Sequence, residues 1–359
     1  MTRVVIVGAS GNVGSRVVEN LRNAGVDELV GVARRPPRNE TALSWVACDI
    51  GLPDAAQRLS ATFRGADAVV HLAWQIQPGR DTHLQWRTNV QGSRQVMAAV
   101  RGAGVPALVY ASSVGAYSAG PKNEPVDESW PTRGTPSSTY ACHKAAVERL
   151  LDQLEAEVPA LRVVRFRPGL IFQRAAASEI ARYFLGPYVP LSAVRRRLIP
   201  VVPAFPRLAF QAVHSDDVGA AFAKAVLDPT AVGAYNLAAE PVLDAAGLAA
   251  ALHARPVPVP YAALRAAADA AFRLRLTPTD AGWLDMAAAV PVMSSQRARA
   301  ELGWVPRHSS KAAFVELLDG MHDAAGGATP PLRKMPAAAG RLAELARTAA
   351  HGGPGSENP

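Results

Sequence analysis

Tyr140 and Lys144 stand four residues apart in Tyr140-Ala141-Cys142-His143-Lys144, a run that continues with helical spacing through Leu151 and Leu154. Residues four apart share one face of a helix, so a phenol and an ammonium are expected side by side, with Cys142 and His143 pointing elsewhere. A free phenol has a pKa near ~10 and is a poor base at neutral pH; a neighbouring cation favours its anion. Upstream, the apolar strand Ala107-Leu108-Val109-Tyr110-Ala111 runs into a hydroxyl pair, Ser112-Ser113. A weak acid, a cation and a hydroxyl are the groups needed to move a proton to or from an oxygen. The pair alone is a weak signal, and its weight comes from Ser113 and from a second feature at the start of the chain.

That feature is a glycine turn. The β-branched run Val4-Val5-Ile6-Val7 leads into Gly8-Ala9-Ser10-Gly11-Asn12-Val13-Gly14, and apolar residues then recur at helical spacing through Val17, Val18 and Leu21. The order is strand, turn, helix. Gly8 lets the chain leave the strand with dihedrals a side chain would forbid, Gly11 lets backbone approach a bulky anion, and Gly14 lets the helix pack near the strand. Unpaired N–H groups at the helix start face that anion, and a dinucleotide pyrophosphate fits the demand.

The adenosine end is read from the second strand, Leu29 to Ala33. An acid about 20 residues past the glycines would hold the 2′-hydroxyl of NAD. Here Ala33 is followed by Arg34-Arg35. Two cations and no acid favour NADP over NAD, with NAD as the alternative and a solvated basic loop as the plainer one. Asp49, at the end of an expected third strand Val46–Ile50, accepts from the adenine amino group or caps the next turn. In the fourth strand, Ala66 to Trp74, His71 is expected to pack, and Trp74 to wall the nicotinamide site or pack. Asn89 falls inside an expected helix over 83–101, where an amide is costly unless it has a task such as holding the neighbouring strand and loop. A sixth strand, Leu161 to Arg167, ends at Pro168-Gly169 because proline has no N–H to donate.

A length of 359 residues allows one large domain or two ordinary ones; 49% of them are apolar and 19% charged. No apolar run approaches the ~20 residues of a membrane span, and the early glycine turn leaves no room for a signal peptide, so cytoplasm is the expected compartment. Cys48 and Cys142 show no metal spacing. The net charge is +8, but the arginines are scattered and no aromatic platform is interleaved with them, so nucleic acid is not expected as a partner. Arg195-Arg196-Arg197 could grip a diphosphate or form a solvated loop. Further on, Phe210–His214 reads as a strand, Ser215-Asp216-Asp217 as the cap of a helix from Val218 to Leu227, and Ala234–Leu237 as a short strand. After Gly326 the composition shifts to Ala, Gly and Pro, and 326–359 is expected outside the core as a flexible tail.

The ordered set of motifs resembles the extended short-chain dehydrogenase/reductases, also called NAD-dependent epimerase/dehydratases. It comprises the turn from Gly8 to Gly14, His71-Leu72-Ala73, Asn89-Val90-Gln91-Gly92, Ser112-Ser113, Tyr140 with Lys144, Arg167-Pro168-Gly169 and Val213 to Val218, in the family's order over residues 1 to about 320. The resemblance implies an α/β fold, a Rossmann doubly wound parallel sheet over 1–170 rejoined by 211–237. It also implies a smaller substrate-binding region from 171–210 and 238–325. Tyr140 takes the acid/base position, Lys144 the position that holds the nicotinamide ribose and lowers the tyrosine pKa, and Ser113 the position that polarises the substrate carbonyl. The implied cofactor contacts are Gly8, Ser10, Gly11, Asn12, Val13, Gly14, Arg34, Arg35, Asp49, Ile50, Leu72, Ala73, Trp74, Asn89, Pro168, Gly169 and Leu170, with Tyr140 and Lys144. After Gly169 the chain reads Leu170-Ile171-Phe172-Gln173-Arg174, where sugar-nucleotide members tend to carry an asparagine and a glycine-proline pair. The expected activity is hydride transfer at a secondary alcohol or ketone, on a sugar-like or other small carbonyl substrate, without membrane, in a chain that resemblance makes a homodimer. The competing expectation is a non-catalytic NADP-binding sensor or regulatory module.

Overall fold

β1 (Arg3–Val7) alternates between two cores: Val4 and Ile6 enter one, Val5 and Val7 the other. A strand buried on both faces has no polar side, which is why Val4 to Val7 is an unbroken apolar run. The computed structural model describes residues 1–37, 43–76, 80–184 and 199–334. Arg195-Arg196-Arg197 lie outside the described residues. β1 pairs in parallel with β2 (Glu28–Ala33) on one side and β4 (Ala68–His71) on the other. β3 (Ser44–Ala47), β5 (Ala107–Ala111), β6 (Arg162–Pro168) and β7 (Gly233–Leu237) complete a seven-stranded parallel sheet in the order β7-β6-β5-β4-β1-β2-β3. The strand order reverses between β1 and β4, and that switch point opens a crevice at the carboxyl ends of the strands.

α1 (Asn12–Asn23) covers one face of the sheet with Val17, Val18 and Leu21. α2 (Ala55–Phe63), α3 (Gly92–Ala103) and α4 (Thr139–Glu157) cover the other, burying Leu59, Phe63, Val96, Val100, Val147 and Leu151. α5 (Ala177–Phe184) leaves the sheet, and α6 (Ser215–Leu227) returns beside α1 with Val218 and Phe222 in the same core. This is the doubly wound α/β fold that the sequence led us to expect. A separate small core joins Phe172, Leu248, Leu252 and Leu317 with three two-stranded pairs. α7 (Ala281–Ala289) and α8 (Ser310–His322) belong to this carboxyl-terminal part.

Several boundaries differ from the sequence reading. β3 stops at Ala47, so Cys48, Asp49 and Ile50 lie beyond it. The expected long helix over 83–101 is interrupted by a π-helical turn, Arg87–Gln91, which carries Asn89. The expected strand Phe210–His214 is two strands in different sheets. Gln211 separates them, its side chain tied to the backbone of Met293 at 2.7 and 3.0 Å. α6 begins at Ser215, earlier than expected, because His214 caps it: its Nδ1 accepts from the Asp216 N–H at 3.2 Å.

The stretch after Gly326 runs back across the mouth of the crevice. Thr329 Oγ1 donates to the Ser10 carbonyl at 2.7 Å, Arg182 donates to the Pro331 carbonyl at 2.9 Å, and Leu332 is buried. Residues 335–359 lie outside the described residues. Among the described residues no helix is long and apolar enough to cross a membrane.

Candidate active site

The crevice begins at the glycine turn. Gly8 has φ +95°, and a Cβ there would sit 2.6 Å from the Ala73 nitrogen; a Cβ on Gly14 would sit 2.2 Å from the Gly8 carbonyl oxygen. No side chain could occupy either position without moving backbone. Gly11 caps α1 in extended conformation with no side-chain hydrogen bond, so the first N–H groups of the helix are left for an anion. Asn12 is clamped from outside: its Oδ1 accepts from Gln173 Nε2 and from Ser215 Oγ, each at 2.7 Å.

Two contiguous clefts open from this turn, of about 240 and 270 Å3, sharing Gly8, Gly11, Leu72, Trp74 and Ile76. The first runs past Ser10, Ala33, Arg34, Asp49, Ile50 and Ala73. Arg34 and Arg35 are both exposed beyond β2, where no acid stands. Asp49 lines the cleft while its Oδ1 accepts from the Gly51 N–H at 2.9 Å, which is the turn-capping alternative. The second cleft contains Asn12, Val13, Gly14, Ser113, Tyr140, Lys144, Pro168, Gly169 and Leu170. Asn89 lines neither cleft; its Oδ1 accepts from the Gln75 N–H at 2.7 Å and its Nδ2 donates to the Gln75 carbonyl at 3.1 Å. Its amide thus fixes the loop that carries Trp74.

Tyr140 and Lys144 project from the first turns of α4, which Ser138 caps through the Ala141 N–H. Burial pushes the Tyr140 phenol up to about 12, and Ser113, which lines the same cleft, pulls the other way. Lys144 is buried, which pulls its pKa down to about 7 against the opposing pull of Glu148. Its Nζ donates to the Ala111 carbonyl at 2.7 Å and lies 3.6 Å from the centre of the Trp74 ring. Trp74 also meets Tyr140 edge-on at 5.9 Å, and its indole N–H is buried with no partner among the described residues. His71 packs, as expected: its Nε2 bonds Ser93 Oγ at 2.9 Å, and burial holds its pKa down at about 3, so the ring is neutral. Cys142 and His143 point away from the cleft, Cys142 toward the Thr135 carbonyl and His143 toward Trp86.

Residues 4–179 match the model of the NAD dependent epimerase/dehydratase family. Over that span, the chain belongs to this family. An uncharacterized Mycobacterium bovis protein is 29% identical over 266 residues, 73% of this chain and 25% of its own length. A UDP-glucose 4-epimerase of Streptomyces lividans is 32% identical over 161 residues, 42% of this chain and 46% of its own. The chain thus spans a quarter to a half of the length of such curated relatives. The crystal structure of a Thermus thermophilus UDP-glucose 4-epimerase in complex with NAD matches in fold with TM-score 0.65 at 22% identity, covering 90% of this chain and all of that one.

In this member of the epimerase/dehydratase family, the crevice also contains residues that the sequence reading did not single out. Glu148 is buried directly below Lys144. It accepts from Ser112 Oγ at 2.5 Å, from Arg167 Nε and Nη2 at 2.9 and 3.0 Å, and from Arg165 Nη1 at 3.1 Å. Helical spacing could have found it, since it is one turn past Lys144 as Lys144 is past Tyr140. Glu179 of α5 faces both clefts with its pKa raised by burial to about 7. Trp283 and Met286 arrive from α7, more than a hundred residues downstream of Tyr140, and no local signal marks them.

Proposed function

We propose that the chain is an NADP-dependent oxidoreductase acting on a secondary alcohol or ketone, with Tyr140 as the proton donor or acceptor. The observation that carries this is the convergence of Ser113, Tyr140 and Lys144 on one cleft that also contains the glycine turn, with Lys144 one helical turn from Tyr140. The residues fit a dinucleotide: Gly8 and Gly14 leave a cradle a Cβ would fill, and the start of α1 presents uncapped N–H groups. When bound, the nicotinamide supplies or accepts the hydride. The protein supplies the proton and the geometry. Ser113 Oγ donates to the carbonyl oxygen, Tyr140 protonates that oxygen or takes its proton, and Lys144 holds the ribose and favours the phenolate. The direct test follows NADPH consumption with a panel of carbonyl compounds, comparing wild type with Tyr140→Phe. Undiminished turnover in the variant would end the assignment.

The Arg34-Arg35 pair supports NADP over NAD, since two guanidiniums suit a 2′-phosphate. Replacing both with alanine is expected to weaken NADPH by ~10–100-fold while NADH changes by less than about threefold. Equal losses for both cofactors, measured by fluorescence titration, would discard the preference.

Cofactor affinity is expected to depend on pH in a definite direction. Lys144 and Glu179 both titrate at about 7 in the free chain. A ribose-holding donor must be the ammonium, and a diphosphate nearby favours the neutral acid. Binding therefore raises both pKa values, and the groups take up protons as the cofactor enters. Affinity is full below pH ~7 and falls above it, by at least ~10-fold between pH ~6 and ~8.5. Glu179→Gln flattens this slope. Calorimetry in buffers of different ionisation enthalpy reads the proton uptake directly.

A further inference from the structure

Beyond Tyr140 the second cleft is walled by hydrocarbon. Trp283 stands against the Tyr140 ring at 5.1 Å between centres, and Phe184 meets Trp283 edge-on at 5.0 Å and 86°. Met286, Ile180 and Phe172 close the remaining sides. Among the described residues lining this cleft, the one cation is Lys144, whose amine is directed to the Ala111 carbonyl and the Trp74 ring. The other charged group is an acid: Glu179 is buried, its carboxylate accepting from Tyr183 Oη at 3.1 Å.

Among the described residues, this wall offers a diphosphate no cation beyond Lys144. Phosphate oxygens brought against aromatic rings lose water and gain no donor. A ring or chain of carbon does the reverse. It covers the exposed faces of Trp283 and Phe184, and its carbonyl is the one polar atom that needs partners, which Ser113 and Tyr140 provide. We infer that the substrate of this site is an apolar ketone or secondary alcohol whose hydrocarbon part lies on Trp283, Phe184 and Met286, and not a nucleotide-diphosphate sugar. The inference rests on Tyr140 being the proton donor. In the reductive direction a hydride from the reduced nicotinamide forms the new C–H bond and brings both electrons. The carbonyl π pair becomes the O–H bond with the Tyr140 proton, and the oxidised cofactor and the alcohol leave.

The test uses the full chain saturated with oxidised cofactor, a state that binds a ketone but cannot reduce it. 1-Tetralone and 2-octanone are titrated by calorimetry against UDP-glucose and UDP-galactose, and turnover of the same compounds is then followed with the appropriate cofactor. The ketones are expected to bind at least ~100-fold more tightly than either nucleotide sugar. Trp283→Ala is expected to weaken tetralone by ~10–100-fold and leave cofactor affinity unchanged; Phe184→Ala gives the same readout should the first variant fail to fold. Nucleotide sugars that bind as tightly as the ketones, or are epimerised while the ketones are inert, overturn the substrate class and leave Tyr140 as the proton donor. No binding or turnover of either class overturns both.

Discussion

Tyr140→Phe is expected to lower kcat by ~10²–10⁴ while cofactor affinity changes by less than about twofold. The variant removes one oxygen. The ring keeps its contacts with Trp74 and Trp283, so the cleft keeps its shape. On the proposed mechanism the oxygen removed is the one that exchanges a proton with the substrate, an effect felt in the transition state and not in the ground state. Lys144→Met should differ in kind. It removes the donor that would hold the ribose and the cation that favours the phenolate, so both kcat and cofactor affinity fall. In the free chain the phenol sits at about 12 and is no base at neutral pH. The pH profile of kcat in the oxidative direction should therefore rise with the ionisation of Tyr140 in the loaded state. A profile unchanged by Lys144→Met would remove the lysine from that role.

Glu148→Leu has the largest expected effect on stability. The carboxylate is buried and is shared by Arg165, Arg167 and Ser112. Those partners hold its pKa down at about 2 despite a burial that alone would raise it. Removing it leaves two buried guanidiniums without their common partner. Arg165 keeps Asp152 and Glu155, and Arg167 keeps the Tyr117 hydroxyl and the Glu128 carbonyl, yet neither regains a buried anion. The cost is about 3–5 kcal/mol, which lowers the melting temperature by roughly 5–15 °C. The pH sign follows from the depressed carboxyl: its stabilisation is complete above pH ~4.5 and is lost as pH falls toward ~2. Thermal melts across that window should show an acid limb in wild type that Glu148→Leu flattens. If the variant melted like wild type at neutral pH, the cluster would have no structural weight.

Much of this arrangement was legible because it is local. The glycine turn is strand, tight turn and helix in one short stretch, and Gly8 and Gly14 each answer a backbone contact under 3 Å. Tyr140 and Lys144 are joined by one helical turn. The doubly wound parallel sheet was implied by the resemblance that these motifs carry in order. The misreadings arose where a contact distant in sequence overrides local preference. The π-helical turn at Arg87–Gln91 contains an asparagine bonded to Gln75, and a regular helix gave the better local pattern. His214 caps α6 where serine and aspartate were the commoner choices. Phe210–His214 splits because Gln211 binds Met293, more than eighty residues away. The apolar wall could not be read at all, since Phe184, Trp283 and Met286 meet only once the chain is folded.

The turn from Gly8 to Gly14 is fastened by residues far downstream in the chain. Asn12 is clamped by Gln173 and Ser215, and the Ser10 carbonyl is bound by Thr329. During synthesis these partners leave the ribosome in that order, well after the turn itself. A loop that could cradle an anion is therefore not fully fastened until Thr329 has joined the fold.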